Sequence, residues 1–275
     1  MFKRHNSMAS VAMVMFAASA SADPIMYTVT VSGQFGTADA ATGAFTQVGP
    51  TLADPLGGLV ATPSGYLGVS FAGNLDSVNP ATGAITVIGA TGLGSSALDT
   101  AYLNGKIYET DFSGNLYTIN ATTGAASLIG YTGIPPTPSD PADQCDEAFF
   151  TAGGNLYATF DAFNSTTLGV VIAPELYQIN PITGVATPLA PTSLHLNAAL
   201  DVNGVVFAFQ GQPSTFTADV LSLSLATGNT TFISSVTASA TPIDGAAGTP
   251  EPATIALAGA GIAVIALAGR RRVRS

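Results

Sequence analysis

Positive charge and cysteine are nearly missing from this chain of 275 residues. Cys145 is the single cysteine, so no intrachain disulfide can form. The basic residues are Lys3, Arg4, Lys106, Arg270, Arg271, Arg272 and Arg274, and only Lys106 lies away from the two ends. All 17 acidic residues fall between Asp23 and Glu251. A surface of that sign repels phosphates and anionic headgroups, which excludes a nucleic-acid-binding role. It attracts cations, and it also keeps a protein soluble outside the cytoplasm. Beyond the first 22 residues there is one histidine, His195. One histidine and one cysteine do not make the His/Cys cluster of a transition-metal site. No glycine loop continues into Lys-Ser/Thr, so no phosphate cradle is present. Nothing resembles a nucleophile elbow that would make His195 the base of a serine hydrolase. Tryptophan is absent, and charged residues amount to only 9%.

Apolar residues make up 47%, with 30 glycines and 17 prolines. That balance, rich in Thr, Val and Tyr, favours short strands joined by turns. The length suits one large all-β domain.

A repeat organises the middle. "LDSVNPATGAITVIG" (75–89), "LYTINATTGAASLIG" (116–130) and "LYQINPITGVATPLA" (176–190) are three copies, and 35–49 and 221–234 are weaker ones. Their turn glycines are Gly43, Gly83, Gly124, Gly184 and Gly228, at intervals of 40, 41, 60 and 44. Each copy reads as a hairpin, with alternating strands on either side of a turn that needs glycine's left-handed backbone. Upstream of four copies lies a second pair of segments: a small-residue strand, a turn and an aromatic strand, as in "ALDTAYLNGKIYETD" (97–111). Four strands per repeat of about 40–45 residues is the size of a propeller blade. The first repeat has only three strand candidates, and "PIDGAAGTP" (242–250) can supply its missing innermost strand. The expected fold is all-β, a β-propeller of five four-stranded blades; six blades or an open β-solenoid fit the same spacing. The long interval holds two insertions, 131–147 and 161–175, read as loops on which binding can reside.

Both ends read as addresses. Residues 1–22 run from Lys3 and Arg4 through an apolar stretch to Ala20-Ser21-Ala22, the order of a secretory signal peptide cleaved before Asp23. The domain proper then spans 23–249, and 250–275 is the tail. Residues 253–269 form an uncharged run that, as a transmembrane helix, reaches about 25 Å. Arg270, Arg271, Arg272 and Arg274 stop it on the cytoplasmic side. Pro250 and Pro252 hold Glu251 extended and exposed before it. This order of Pro-Glu-Pro, short span and terminal arginines resembles the PEP-CTERM sorting signal. The resemblance covers about the last 27 residues, and an ordinary single-span anchor is the alternative. It implies processing by exosortase, a membrane-embedded protease-transpeptidase of Gram-negative bacteria that make extracellular polysaccharide. Pro250, Glu251 and Pro252 would then be recognition residues for that enzyme. The chain would pass through the secretion machinery and anchor briefly in the inner membrane. It would end at the cell surface or in the matrix.

Candidate chemistry in the domain is sparse. Asp140, Asp143, Asp146 and Glu147 crowd one insertion and can hold Ca²⁺, although no EF-hand spacing is present and a solvated acidic loop explains them better. No other cofactor is implied. Asp99, Glu109, Asp111, Asp161 and Asp201 lie in or beside repeated strands and can face a channel, as a glycosidase pair would. Tyr108, Tyr117, Tyr157 and Tyr177 can stack on sugars or pack between sheets. The expectation is a non-enzymatic binding or structural module associated with exopolysaccharide, with no catalytic residues; the alternative is a polysaccharide hydrolase or lyase on the same scaffold.

Overall fold

A computed structural model describes residues 24–136, 140, 143–167, 169–212, 217–236 and 243–248. The signal-cleavage residues Ala20, Ala22 and Asp23, the Pro-Glu-Pro motif and the arginine-stopped span 253–269 lie outside the described residues. Among the described residues no helix is long and apolar enough to cross a membrane.

Among the described residues, twenty strands form five antiparallel sheets of four. Blade I holds β1 (Ile25–Thr30), β2 (Phe35–Asp39) and β3 (Phe45–Gln47). Blade II is β4 (Val60–Thr62), β5 (Gly65–Val69), β6 (Asn74–Val78) and β7 (Ile85–Ala90). Blade III is β8 (Ala97–Leu103), β9 (Lys106–Asp111), β10 (Asn115–Ile119) and β11 (Ala126–Tyr131). Blade IV is β12 (Asp143–Ala152), β13 (Asn155–Asn164), β14 (Val170–Ile179) and β15 (Ala186–Pro191). Blade V is β16 (Ala198–Val202), β17 (Val205–Gln212), β18 (Thr217–Leu223) and β19 (Thr230–Val236). The last strand, β20 (Ile243–Gly248), returns to blade I as its innermost member, pairing Tyr27 with Ala247 and Thr28 with Ala246. The inner strands β4, β8, β12, β16 and β20 pack in that order around one axis, with β20 against β4. The ring is closed at five blades, and the two chain ends lock it.

Five apolar clusters hold it, one at each blade–blade interface. Met26 and Ile243 meet Phe207 and Phe209 between blades I and V. Tyr108 and Leu116 meet Phe149 and Phe160 between III and IV. Each such aromatic contributes about 2–3 kcal/mol on leaving water.

The repeated Thr-Gly step has two causes in the structure. Locally, Asn120 Oδ1 accepts from the Thr122 and Thr123 amides while the Gly124 amide donates to the Asn120 carbonyl at 2.8 Å. Asn79 and Asn180 do the same, and Asp39 takes this place in blade I. The chain then leaves the turn through a left-handed residue, Gly124 at φ +78°. The second cause is distant. A Cβ on Gly124 would stand 2.2 Å from the Gly89 carbonyl oxygen, on the outermost strand of the preceding blade. The same approach recurs from Gly83 to Val48, from Gly228 to Pro191 and, closing the ring, from Gly43 to Ser235. Each repeat turn therefore latches its blade onto the neighbour before it. Inner hairpins use the other glycine device: Asn104-Gly105 and Asn203-Gly204 both turn with positive φ.

Along each blade the first strand runs away from one rim, called upper here, and the Thr-Gly turns lie on the lower rim. The β13–β14 connection and the segment entering β12 both belong to the upper rim. These are the two insertions expected as loops. Residues 143–147 of the first and most of the second instead lengthen β12, β13 and β14 to ten residues each, with an unbroken ladder from Asp143↔Asn164 to Ala152↔Asn155. Residues 143–147 carry no strand signal of their own; the partner strand supplies the missing backbone pairing.

Candidate functional site

The lengthened strands of blade IV raise two carboxylates to the upper mouth of the channel. Asp146 on β12 and Asp161 on β13 are direct cross-strand partners, so their side chains leave the same face of the sheet. Asp161 is 1% exposed and is bound to Nδ1 of His195, which comes from the connection between β15 and β16. Asn197, two residues on, donates from Nδ2 to Asp146 Oδ1 at 2.8 Å. Its own Oδ1 accepts the Gly211 amide at 2.7 Å, which fixes the amide's orientation. The Phe163 ring stands edge-on to the imidazole, 5.3 Å between centres. Blades IV and V thus build the site together, with Asp146, Asp161 and His195 offering donor atoms that all lie within 4.8 Å of one another.

The electrostatics follow from burial. Desolvation pushes Asp146 up to about 6, helped by the neighbouring Asp161 charge. Asp161 is also raised by burial, although its bond to His195 works against this. The same bond, more than any other cause, raises His195. Asp244 on β20 is pushed up to about 8 by desolvation and then by Asp146. The mouth therefore gathers more carboxylate than its one imidazole balances.

A second group of acids lies deeper, at the junction of blades II, III and IV. Asp99 accepts the amides of Thr100 at 2.6 Å and Phe149 at 2.7 Å. Thr100 Oγ1 donates to Glu109 Oε2 at 2.7 Å, and Thr110 Oγ1 donates to Glu147 Oε1 at 2.9 Å. All three acids are buried, and desolvation raises each of them, Glu147 to about 8. Burial favours the neutral form of each, and the bonds of Asp99 to Phe149 and of Glu147 to Thr110 tie blade III to blade IV. Gly58 of blade II comes so close that a Cβ there would meet Asp99 Oδ1 at 2.5 Å. These carboxyls are engaged in holding blades, with no open face between them.

The carboxylates expected at the channel thus divide. Asp99 and Glu109 belong to the buried junction and Asp161 to the mouth. Asp111 braces the β9–β10 turn, accepting from the Ser113 and Asn115 amides and the Tyr117 hydroxyl. Asp201 lies on the lower rim, where it accepts the Gly204 amide at 2.7 Å. The four acids of the first insertion also part company. Asp146 and Glu147 are successive strand residues and point to opposite faces, one to the mouth and the other to Thr110. Asp143 accepts from Asn164 Nδ2 at 2.9 Å, and the Asp140 carbonyl accepts the Asp143 amide. Tyr108, Tyr157 and Tyr177 are buried between blades. Cys145 is a half-buried thiol packed against the interface of blades III and IV. Towards the lower end the channel holds a cavity of about 220 Å³ bounded by Leu59, Tyr102, Phe149, Leu200 and Ala246, with Thr100, Thr151 and Asp201 also in its lining.

The pairing of Asp161 with His195 and the role of Asn197 had no signature in the sequence. They are 34 or more residues apart, and no repeat copy contains an equivalent. One signal was available: both flank or lie in the only stretch where the repeat interval departs from its norm.

Comparison with known families finds the PEP-CTERM protein-sorting motif at residues 249–272. No curated protein matches the chain. Among solved structures, a protein of unknown function from Bacteroides thetaiotaomicron is 16% identical with a TM-score of 0.45; the match covers 74% of this chain and 56% of that one. The chain therefore spans a little over half the length of that relative. Myxococcus xanthus glutaminyl cyclase is 17% identical over 74% of both chains, with a TM-score of 0.37. BamB from Moraxella catarrhalis is 14% identical over 72% of this chain and 67% of its own, with a TM-score of 0.33. At these similarities none carries chemistry across. The sorting motif marks the chain as an exported protein, anchored in a membrane in transit and processed by exosortase.

Proposed function

We propose that this exosortase-sorted propeller is a non-enzymatic binding module of the cell surface or extracellular matrix that holds polysaccharide at its upper mouth. One observation carries the reading: Asp146, Asp161, His195 and Asn197 converge on the rim where blade IV departs from the repeat. Paired carboxylates, an imidazole and a fixed amide are groups that recognise sugar hydroxyls through directed hydrogen bonds. The site is oriented mainly by bonds among its own members, which suits holding a ligand in one geometry. The sorting route supports exopolysaccharide as the ligand class, since the resemblance of the tail is to proteins of polysaccharide-producing bacteria.

The Asp161–His195 pair also favours a second reading, a hydrolase or lyase in which the buried acid orients the base. Mature protein recovered from the host separates the two. The module co-purifies with the matrix polysaccharide and releases no new reducing or unsaturated ends; sustained release of such ends by wild type but not by His195→Ala would replace the module with the enzyme. The sorting step has its own test. Glu251→Ala, or serine at all four terminal arginines, leaves the tail attached, read as unprocessed mass in whole cells. Normal mass and release in both variants would remove exosortase from the account.

A further inference from the structure

We propose that Asp146, Asp161 and His195 bind a single divalent transition-metal ion, of which Zn²⁺ is the representative, at the upper mouth of the channel. This does not depend on polysaccharide being the ligand. Ligand atoms around an ion at about 2.1 Å stand about 3–4 Å apart, and the three donors already lie within 4.8 Å of one another. An ion bound there replaces the hydrogen bond between His195 Nδ1 and Asp161, and side-chain rotation adjusts the three donors around it. Asp146 and Asp161 are held by the longest ladder in the molecule, so two of the three ligands are placed by backbone pairing rather than by a loop.

Charge balance points to an ion independently. Asp146 and Asp161 share one imidazole, and Asp244 has Asp146 as its charged neighbour. The only Lys or Arg among the described residues is Lys106, which begins β9 on the lower rim. Buried carboxylates are ordinarily paired with a cation or bound to a metal, and the described residues provide no further Lys or Arg here. Asp244 sharpens the point: it is partly buried and its charged neighbour is Asp146. A further carboxylate beside Asp146 is the environment that a doubly charged ion relieves. Asn197 supplies the outer support, since its Nδ2 engages Asp146 Oδ1 and leaves the other oxygen for the metal.

The donor set selects the class. An imidazole nitrogen beside two carboxylates suits Zn²⁺ and its first-row neighbours, whereas Ca²⁺ and Mg²⁺ take oxygen ligands throughout. Three protein ligands leave a position open towards the mouth, as in sites where the ion meets an external group.

The test uses the untagged full-length chain, purified in mild detergent, stripped with chelator and titrated with Zn²⁺. One ion binds per chain and, at a hundredfold excess over Kd, raises the melting temperature by about 5–10 °C. His195→Gln and Asp161→Asn each weaken binding at least tenfold, and Asn197→Ala weakens it about tenfold. Asp201→Asn on the lower rim leaves it unchanged. His195 is 32% exposed, so His195→Gln keeps the fold; in Co²⁺-loaded protein it also shifts the visible d–d bands. Absence of saturable Zn²⁺ binding to wild type would overturn the site. So would unchanged affinity and unchanged Co²⁺ bands in folded His195→Gln, or displacement of Zn²⁺ by an equal concentration of Ca²⁺.

Discussion

The lower rim of this propeller repeats and the upper rim of blades IV and V does not. Below, each Thr-Gly turn rests on the outer strand of the preceding blade, and the contact recurs around the ring from Gly43 on Ser235 to Gly228 on Pro191. Above, β12, β13 and β14 outgrow their counterparts and lift Asp146 and Asp161 to meet His195. A repeated contact serves closure, because every blade needs it equally. A contact made once serves something the ring does not need. The difference teaches where function lies in a repeat protein: in the departures from the period.

Four expected outcomes break or sharpen that contrast. The largest concerns the buried acids beneath the upper rim. Their folded-state values lie above their ordinary ones, so the folded state binds more protons than the unfolded state. The stability they contribute is fully present below the unfolded values and is lost as pH rises through the folded ones. For Glu147, raised from 4.5 to about 8, the loss between those limits is on the order of 3–5 kcal/mol. Denaturant unfolding across that window should show stability falling with pH, and Glu147→Gln should flatten the slope. A flat wild-type profile would mean the junction is charged and compensated.

Next in size is a latch glycine. Gly124→Ala forces a methyl against the Gly89 carbonyl and strains a left-handed turn, for a loss of about 3 kcal/mol. Gly105→Ala is its control. Gly105 has φ +82° but nothing within 4 Å of a Cβ, so only the backbone term of about 1 kcal/mol applies. Equal losses in thermal unfolding would show that the turn glycines serve local conformation and not the blade contact. The smallest effect has the opposite sign. Thr159 is buried on β13 with no partner for its hydroxyl among the described residues, and Thr159→Val should stabilise by about 0.5–1 kcal/mol. A loss instead would indicate a bound water at that hydroxyl.

The turn chemistry made the blades legible from residues alone. Asn, Thr and Gly at fixed offsets set a hairpin through local hydrogen bonds, and local signals survive in a sequence. The closing strand was legible too, because Gly245, Ala246 and Ala247 match the small residues of other inner strands where side chains crowd the axis. What could not be read was set by distance. Nothing at Gly124 announces that Gly89 lies behind it. Nothing in "DQCDE" says that it will be strand, since its pairing with Ala162 and Phe163 is made across the hairpin. His195 was counted without its carboxylates, and Asp146, Asp161 and His195 come together only through the ladder of blade IV and the entry to blade V.

The claim that function resides at the upper mouth is tested most directly by binding to immobilised polysaccharide from the producing cell. Wild type, Asp161→Asn and Asp201→Asn are measured side by side, with folding checked by circular dichroism. Loss of at least tenfold in affinity for Asp161→Asn alone is the predicted result. Retained binding by Asp161→Asn together with loss by Asp201→Asn would contradict it and move the site to the lower rim.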